Sequence, residues 1–136
     1  MRRAPALVAL VVGLLTSAAC DGGGGGSGSG VGTDEGEATV EWVVDGDTLR
    51  LTDGRVVRLV QIDAPAARSD CYGRDATRAL IDAAPKGTRV TLERDPALDA
   101  VDPYDRLLRY VLVDGRNVNV QLVARGAAAP YFFRNE

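Results

Sequence analysis

The 136-residue chain contains no histidine. That absence removes the commonest general base and the commonest metal ligand, and with them every Ser-His or Cys-His nucleophile arrangement. Cysteine is scarce too: Cys20 and Cys71 are the only two. There is no excess charge to draw a polyanion, because residues 38–136 carry 14 basic against 15 acidic side chains, a net of −1. Any such attraction has to come from local patches or a bound ion. No segment repeats at a fixed period, and the apolar run at residues 6–15 is too short to span a bilayer. Chemistry on this chain must therefore use carboxylates, arginines and a bound cation.

The first 19 residues read as an export signal. Arg2 and Arg3 supply the positive start, residues 6–15 the apolar stretch, and Ser17, Ala18 and Ala19 the small residues before a cleavage point. Cys20 follows at once, and residues 20–37 form a Gly/Ser-rich tether that reaches about 20–25 Å. That layout resembles a bacterial lipoprotein, which implies lipidation of Cys20 and anchorage at a membrane surface. The alternative is simple secretion with cleavage after Ala19. With Cys20 assigned to a lipid, Cys71 is either a free thiol or lacks its partner.

Residues 38–136 make one domain. Residues 38–45 (ATVEWVVD) and 48–52 are β-rich, Asp53-Gly54 signals a two-residue hairpin, and residues 56–62 complete a three-strand meander. Residues 71–84 place Ala76, Ala79, Leu80 and Ala83 at helical spacing, with Pro85 and Gly87 ending the helix. Residues 88–93 and 107–113 read as two more strands, with Asp114-Gly115 a turn. Residues 118–125 read as a short helix capped by Asn117 and stopped by Gly126. The order β-β-β-α-β-β-α fits a mainly β fold with helices, the five-stranded Greek-key OB-fold barrel. An open α+β sheet is the alternative.

Three clusters carry the chemistry. In residues 56–62, Val56, Arg58, Val60 and Ile62 share one face, so a guanidinium interrupts an apolar row and requires a partner. A structural ion pair is the plain explanation. Asp63 ends that strand before Pro65, which suits either half of an oxygen-lined cation site or an ordinary turn. Asp45-Gly46-Asp47 is a tight turn by type, yet two carboxylates this close repel unless something positive lies beside them. In Tyr104-Asp105-Arg106 the guanidinium can grip a phosphate through two parallel hydrogen bonds, while Asp102 and Asp105 read as a solvated loop.

The set VVDGDTLRL, RLVQIDAP, CYGRDA, DPYDRLLRYV and NVNVQLVARGAA closely resembles the staphylococcal nuclease (thermonuclease) family over residues 38–133. The resemblance implies an OB-fold and a calcium-dependent nuclease, acting as a monomer on DNA and RNA with little sequence preference. It implies that Asp47, Asp63 and the backbone carbonyl of Ala64 ligate calcium, with Asp45 in the outer shell. It further implies that Arg58 and Arg106 hold the scissile phosphate as charge builds on it. Tyr104 matches a substrate-contacting tyrosine, and Tyr131 lies near a second, with Phe132 as its rival.

Where the family carries a glutamate that orients or deprotonates the attacking water, this chain has Ala66. Asp70 is the nearest acid downstream. Loss of general-base assistance slows a reaction by about 10²–10⁴-fold, so a slow enzyme is expected. The alternative is an inactive OB-fold module that binds nucleic acid or an envelope partner. The resemblance also implies a further C-terminal helix that is absent from this sequence, so the domain reads as C-terminally truncated.

Overall fold

A computed structural model describes residues 35–132. The expected export signal, Cys20 and most of the expected tether lie outside them, as does Phe133. Strands β1 (Gly36–Asp45), β2 (Thr48–Leu51) and β3 (Val56–Leu59) form an antiparallel meander, and β4 (Ile62–Asp63) follows. Helix α1 (Gly73–Ala83) leads into β5 (Arg89–Glu93) and β6 (Leu107–Val113). The chain then runs through β7 (Arg116–Asn117), α2 (Val118–Ala124) and β8 (Ala129–Pro130).

β1 pairs with both β2 and β5, β5 pairs with β6, and a parallel β3–β6 pairing closes the ring. Five strands thus make a closed barrel, the OB-fold expected from the sequence, and closure removes the exposed sheet edges that the open alternative would leave. β5 shows the alternation that builds the interior: Val90 and Leu92 are buried between exposed Arg89, Thr91 and Glu93. Val40, Leu49, Leu51, Val57, Leu59 and Val111 fill the barrel, and Leu80 of α1 and Leu122 of α2 join the same core.

β6 and α2 lie within a residue of their sequence-based limits, and the Asn117 side chain accepts from the Val120 N–H as a helix cap should. Asp114 and Gly115 both take positive φ, 50° and 74°, the signature of a tight hairpin turn.

Four expectations need correction. The third strand does not run unbroken to residue 62. It stops at Leu59, and Gln61 turns the chain with φ 58° before β4. Because β3 is flanked by β2 and β6, Val57 and Leu59 are its core residues, and Arg58 faces away from the core instead of interrupting it. The hairpin at Asp53-Gly54 is wider than two residues, with Gly54 at φ 93° and the Asp53 carboxylate bound to the Arg55 N–H and guanidinium. Finally, α1 begins at Gly73, because Tyr72 sits in the left-handed region at φ 63°.

Candidate active site

The floor of the site is built where the β1–β2 turn meets the end of β4. Gly46 permits that approach: a Cβ there would lie 2.7 Å from the Ala64 Cβ and 2.8 Å from the Ala76 Cβ. The turn carries Asp47, 7% exposed, into contact with the following loop. Its Oδ1 accepts from the Thr48 hydroxyl at 2.9 Å, and its Oδ2 accepts from the Ala64 N–H at 2.8 Å. The Asp47 carbonyl accepts from the Leu59 N–H at 2.8 Å, which ties the turn to β3 as well. The turn reading of Asp45-Gly46-Asp47 is thus correct, and the same turn delivers a buried carboxylate.

Arg58 is the positive charge that the two acidic clusters require. Its Nη1 lies 2.7 Å from Asp47 Oδ2 and its Nη2 lies 2.9 Å from Asp63 Oδ1, so one fork bridges both carboxylates. Arg58 and Asp47 are each about 9% exposed in the side chain, whereas Asp63 is 59% exposed. Burial pushes the Asp47 carboxyl above its ordinary value. The Arg58 charge and the hydrogen bonds from Ala64 and Thr48 oppose that rise without cancelling it. Desolvation thus outweighs the pairing with Arg58, and the ionised Asp47 is incompletely compensated.

Asp45 holds the next loop. Its Oδ1 accepts from the Gly46 N–H at 2.8 Å and from the Ala67 N–H at 3.1 Å. Between them, Asp45 and Asp47 clasp residues 64–67 by the backbone. Ala66 sits in that segment, and its N–H donates to Asp70 Oδ2 at 2.8 Å while its carbonyl accepts from the Asp70 N–H at 3.1 Å. Asp70 is thus folded back beside Ala66. Gly73 is required behind it, because a Cβ there would overlap the Ala66 carbonyl oxygen. A cleft of about 430 Å³ opens over this arrangement, with Asp63, Ala64, Pro65 and Asp70 on one wall and residues 126–129 on the other.

Arg106 and Tyr104 occupy a separate loop. Arg106 Nε lies 2.6 Å from Asp102 Oδ2, and Asp102 Oδ1 accepts from the N–H groups of Tyr104 and Arg106. Asp102 is therefore no solvated loop residue: its side chain is 10% exposed and organises the whole turn. Burial pushes its carboxyl up, but the hydrogen bonds from Arg106 and Tyr104 win and hold it below the usual carboxylate range. The sequence signal was available in the four-residue spacing from Asp102 to Arg106 and in Asp102 preceding Pro103. Asp105 is exposed with φ 62°, as a loop residue. Tyr104 is 81% exposed, with the Arg106 guanidinium 5.5 Å from its ring centre.

The barrel register relates the two arginines. Arg58 on β3 pairs with Leu108 on β6, so extending the register sets Arg106 beside Val56, two residues from Arg58 on the neighbouring strand. Strand spacings then put their Cα atoms roughly 8 Å apart. Tyr131 lies farther off: its N–H donates to the Gln61 carbonyl at 2.9 Å, beyond β8, whose Ala129 pairs with Asp63. Tyr131 is 42% and Phe132 72% exposed.

Other polar residues serve the scaffold. Buried Asn119 donates to the Val60 carbonyl at 2.9 Å and accepts from the Val111 N–H at 3.1 Å, locking α2 onto the β3–β6 seam. Fully buried Arg109 donates to the carbonyls of Ala100 and Leu108, both at 2.7 Å. A second groove, about 290 Å³ and lined by Val60, Ile62, Val120 and Val123 among others, holds no carboxylate.

The donor set suits a hard divalent cation: carboxylate oxygens on Asp47 and Asp63 and a backbone carbonyl at Ala64, all at the junction of the same two turns. Among the described residues no three acidic, His or Cys side chains form a closed metal cluster. An ion held here would accordingly keep several waters.

The family model described as "Staphylococcal nuclease homologue" matches residues 56–136. Among curated proteins of Bacillus subtilis (strain 168), the chain is similar to the SPbeta prophage-derived endonuclease YokF, 38% identical over 68% of this chain and 33% of that protein. It is also similar to endonuclease YncB, 35% identical over 66% of this chain and 46% of that protein. Endonuclease YhcR is 34% identical over 72% of this chain and 9% of its own length. The chain therefore spans less than half of each of these relatives.

Proposed function

This chain belongs to the staphylococcal nuclease homologue family, and on that footing we propose that it is a calcium-dependent nuclease hydrolysing phosphodiester bonds of DNA and RNA. The observation that carries the reading is Arg58, buried and bridging Asp47 and Asp63, the second of which lines the cleft. A guanidinium fork between two carboxylates is set to exchange one of them for a phosphate oxygen when a cation takes over the acids. Asp47, Asp63 and the Ala64 carbonyl would hold calcium, which when bound neutralises phosphate charge and acidifies bound water.

The chain's own residues divide the rest of the work. Arg58 and Arg106 stabilise the charge that accumulates on the phosphorus oxygens, each worth a few kcal/mol of barrier by analogy with other preorganised donors. Tyr104, exposed beside Arg106, contacts the sugar or base, and Tyr131 flanks the cleft more distantly. Asp45 positions the loop. At Ala66 there is no carboxylate to take the water's proton, and Asp70, hydrogen-bonded to the Ala66 N–H, is the acid best placed to do so. This supports a slow enzyme. The apolar leader ending at Cys20 supports export with a lipid anchor.

The test is to incubate the purified chain with single-stranded DNA and with RNA, in calcium and in chelator. Calcium-stimulated cleavage supports the reading. Tight binding with no cleavage at high enzyme concentration favours the inactive binding module instead.

A further inference from the structure

Beside the cleft runs a second, smaller cavity of about 210 Å³ that the catalytic reading leaves unused. It shares Pro65, Gly126 and Ala127 with the cleft, so the two adjoin. Its distinctive residues are Tyr72, Asp75 and Arg125.

Tyr72 is costly where it stands. Its φ of 63° is a conformation glycine or asparagine adopts far more readily than tyrosine. The ring contributes little to the fold in return: it is 78% exposed, and its side chain makes no capping hydrogen bond to α1. It nevertheless lines the groove. Arg125, at the C-terminal end of α2, is exposed and forms no ion pair among the described residues. Asp75, in the first turn of α1, is the third polar group.

An aromatic face, an uncommitted guanidinium and a carboxylate in a groove of this size match one nucleotide. Stacking needs an unpaired base, the guanidinium suits a phosphate, and a carboxylate accepts from an exocyclic amine. A phosphate beside Asp75 would be repelled, which sets the phosphate at Arg125 and the base between Tyr72 and Asp75. Resting on the nuclease reading above, we propose that the Tyr72–Arg125 groove is a subsite for an unpaired nucleotide flanking the scissile phosphate.

Two measurements on the full chain test this. In chelator, fluorescence anisotropy gives the affinity for a labelled single-stranded 12-mer, comparing wild type with Tyr72→Gly, Tyr72→Phe and Arg125→Ala. In calcium, kcat/KM for the same 12-mer is divided by kcat/KM for bis(4-nitrophenyl) phosphate, which fills only the scissile position. Tyr72→Gly should weaken 12-mer binding about 10-fold and lower that ratio by a similar factor, within the range expected for one stacked base. Thermal stability should not fall, since the backbone strain is relieved. Tyr72→Phe should keep both values, and Arg125→Ala should weaken binding with a shallower salt dependence.

Unchanged 12-mer affinity in Tyr72→Gly, or equal loss on both substrates, overturns the subsite. If wild type cleaves neither substrate, the nuclease reading fails by itself, and the chelator arm still decides the subsite.

Discussion

Replacing Arg58 with alanine exposes the energetics of the site. The guanidinium makes two charge-assisted contacts, at 2.7 Å to Asp47 and 2.9 Å to Asp63. The second contributes little to stability, because Asp63 is 59% exposed and water can replace the partner. The first matters, because Asp47 is 7% exposed and would be left with only the Thr48 hydroxyl and the Ala64 N–H. Removing one member of a buried pair costs about 3–5 kcal/mol, and with Asp47 at the rim of burial about 3 kcal/mol is expected. For a domain of this size that is a large share of total stability.

The loss has a pH dependence of known sign. Asp47 already titrates above its unfolded value of 3.8. Its native form therefore binds a proton more readily than the unfolded chain, and stability falls as pH rises across that window. Without Arg58 the native value moves further up, so the deficit should be full at neutral pH and shrink on acidification toward 3.8. The assay is urea unfolding of wild type and Arg58→Ala in chelator at neutral and mildly acidic pH, then in saturating calcium at neutral pH. Calcium should recover part of the loss by supplying the missing positive charge. A destabilisation under about 1 kcal/mol in chelator, with no response to calcium or pH, would refute the view that Arg58 and the ion neutralise the same carboxylate.

Other substitutions probe separate parts. Ala66→Glu should raise kcat by about 10²-fold or more by restoring a base beside the attacking water, and no change would indicate that the arginine pair is out of place. Asp102→Asn should lower kcat more than stability, because it frees Arg106. In wild type the Asp102 carboxyl is depressed, so its stabilisation is present above pH 3.8 and lost as pH falls through the lower native value. An acid unfolding curve of the variant should therefore lack that component. Gly46→Ala should cost about 1–3 kcal/mol, since its Cβ would press on Ala64 and Ala76, and thermal melts check this directly.

Much of the barrel was legible because local signals agreed. β5 alternates, β6 is an apolar run broken only by Arg109 and Tyr110, and Asn117 caps α2 as its side chain dictates. What was not legible depends on distant pairing. The parallel β3–β6 contact buries Val57 and Leu59 and leaves Arg58 on the strand's other face, and nothing within residues 56–62 indicates which neighbours that strand acquires. The break at Gln61 carries no glycine or proline to announce it. β7 and β8 are two residues each and exist only through their partners. The acids at 45, 47 and 63 and the arginine at 58 were recognisable as a set; the structure joins Asp47 and Asp63 through Arg58, while Asp45 binds the backbone of Gly46 and Ala67 instead. Arg106 was recognisable too, but its dependence on Asp102 required the loop geometry.

The most direct measurement compares calcium-stimulated cleavage of a labelled single-stranded oligonucleotide by wild type and Asp63→Asn. Asp63 is the exposed member of the carboxylate pair, so the substitution removes a proposed ion ligand while leaving the buried Asp47–Arg58 contact in place. Cleavage that appears with calcium, vanishes in chelator and drops by at least about 10²-fold in a variant of unchanged fold is the predicted result. Equal cleavage by the two proteins, or cleavage indifferent to chelator, would contradict an ion-assisted site at the β1–β2 turn.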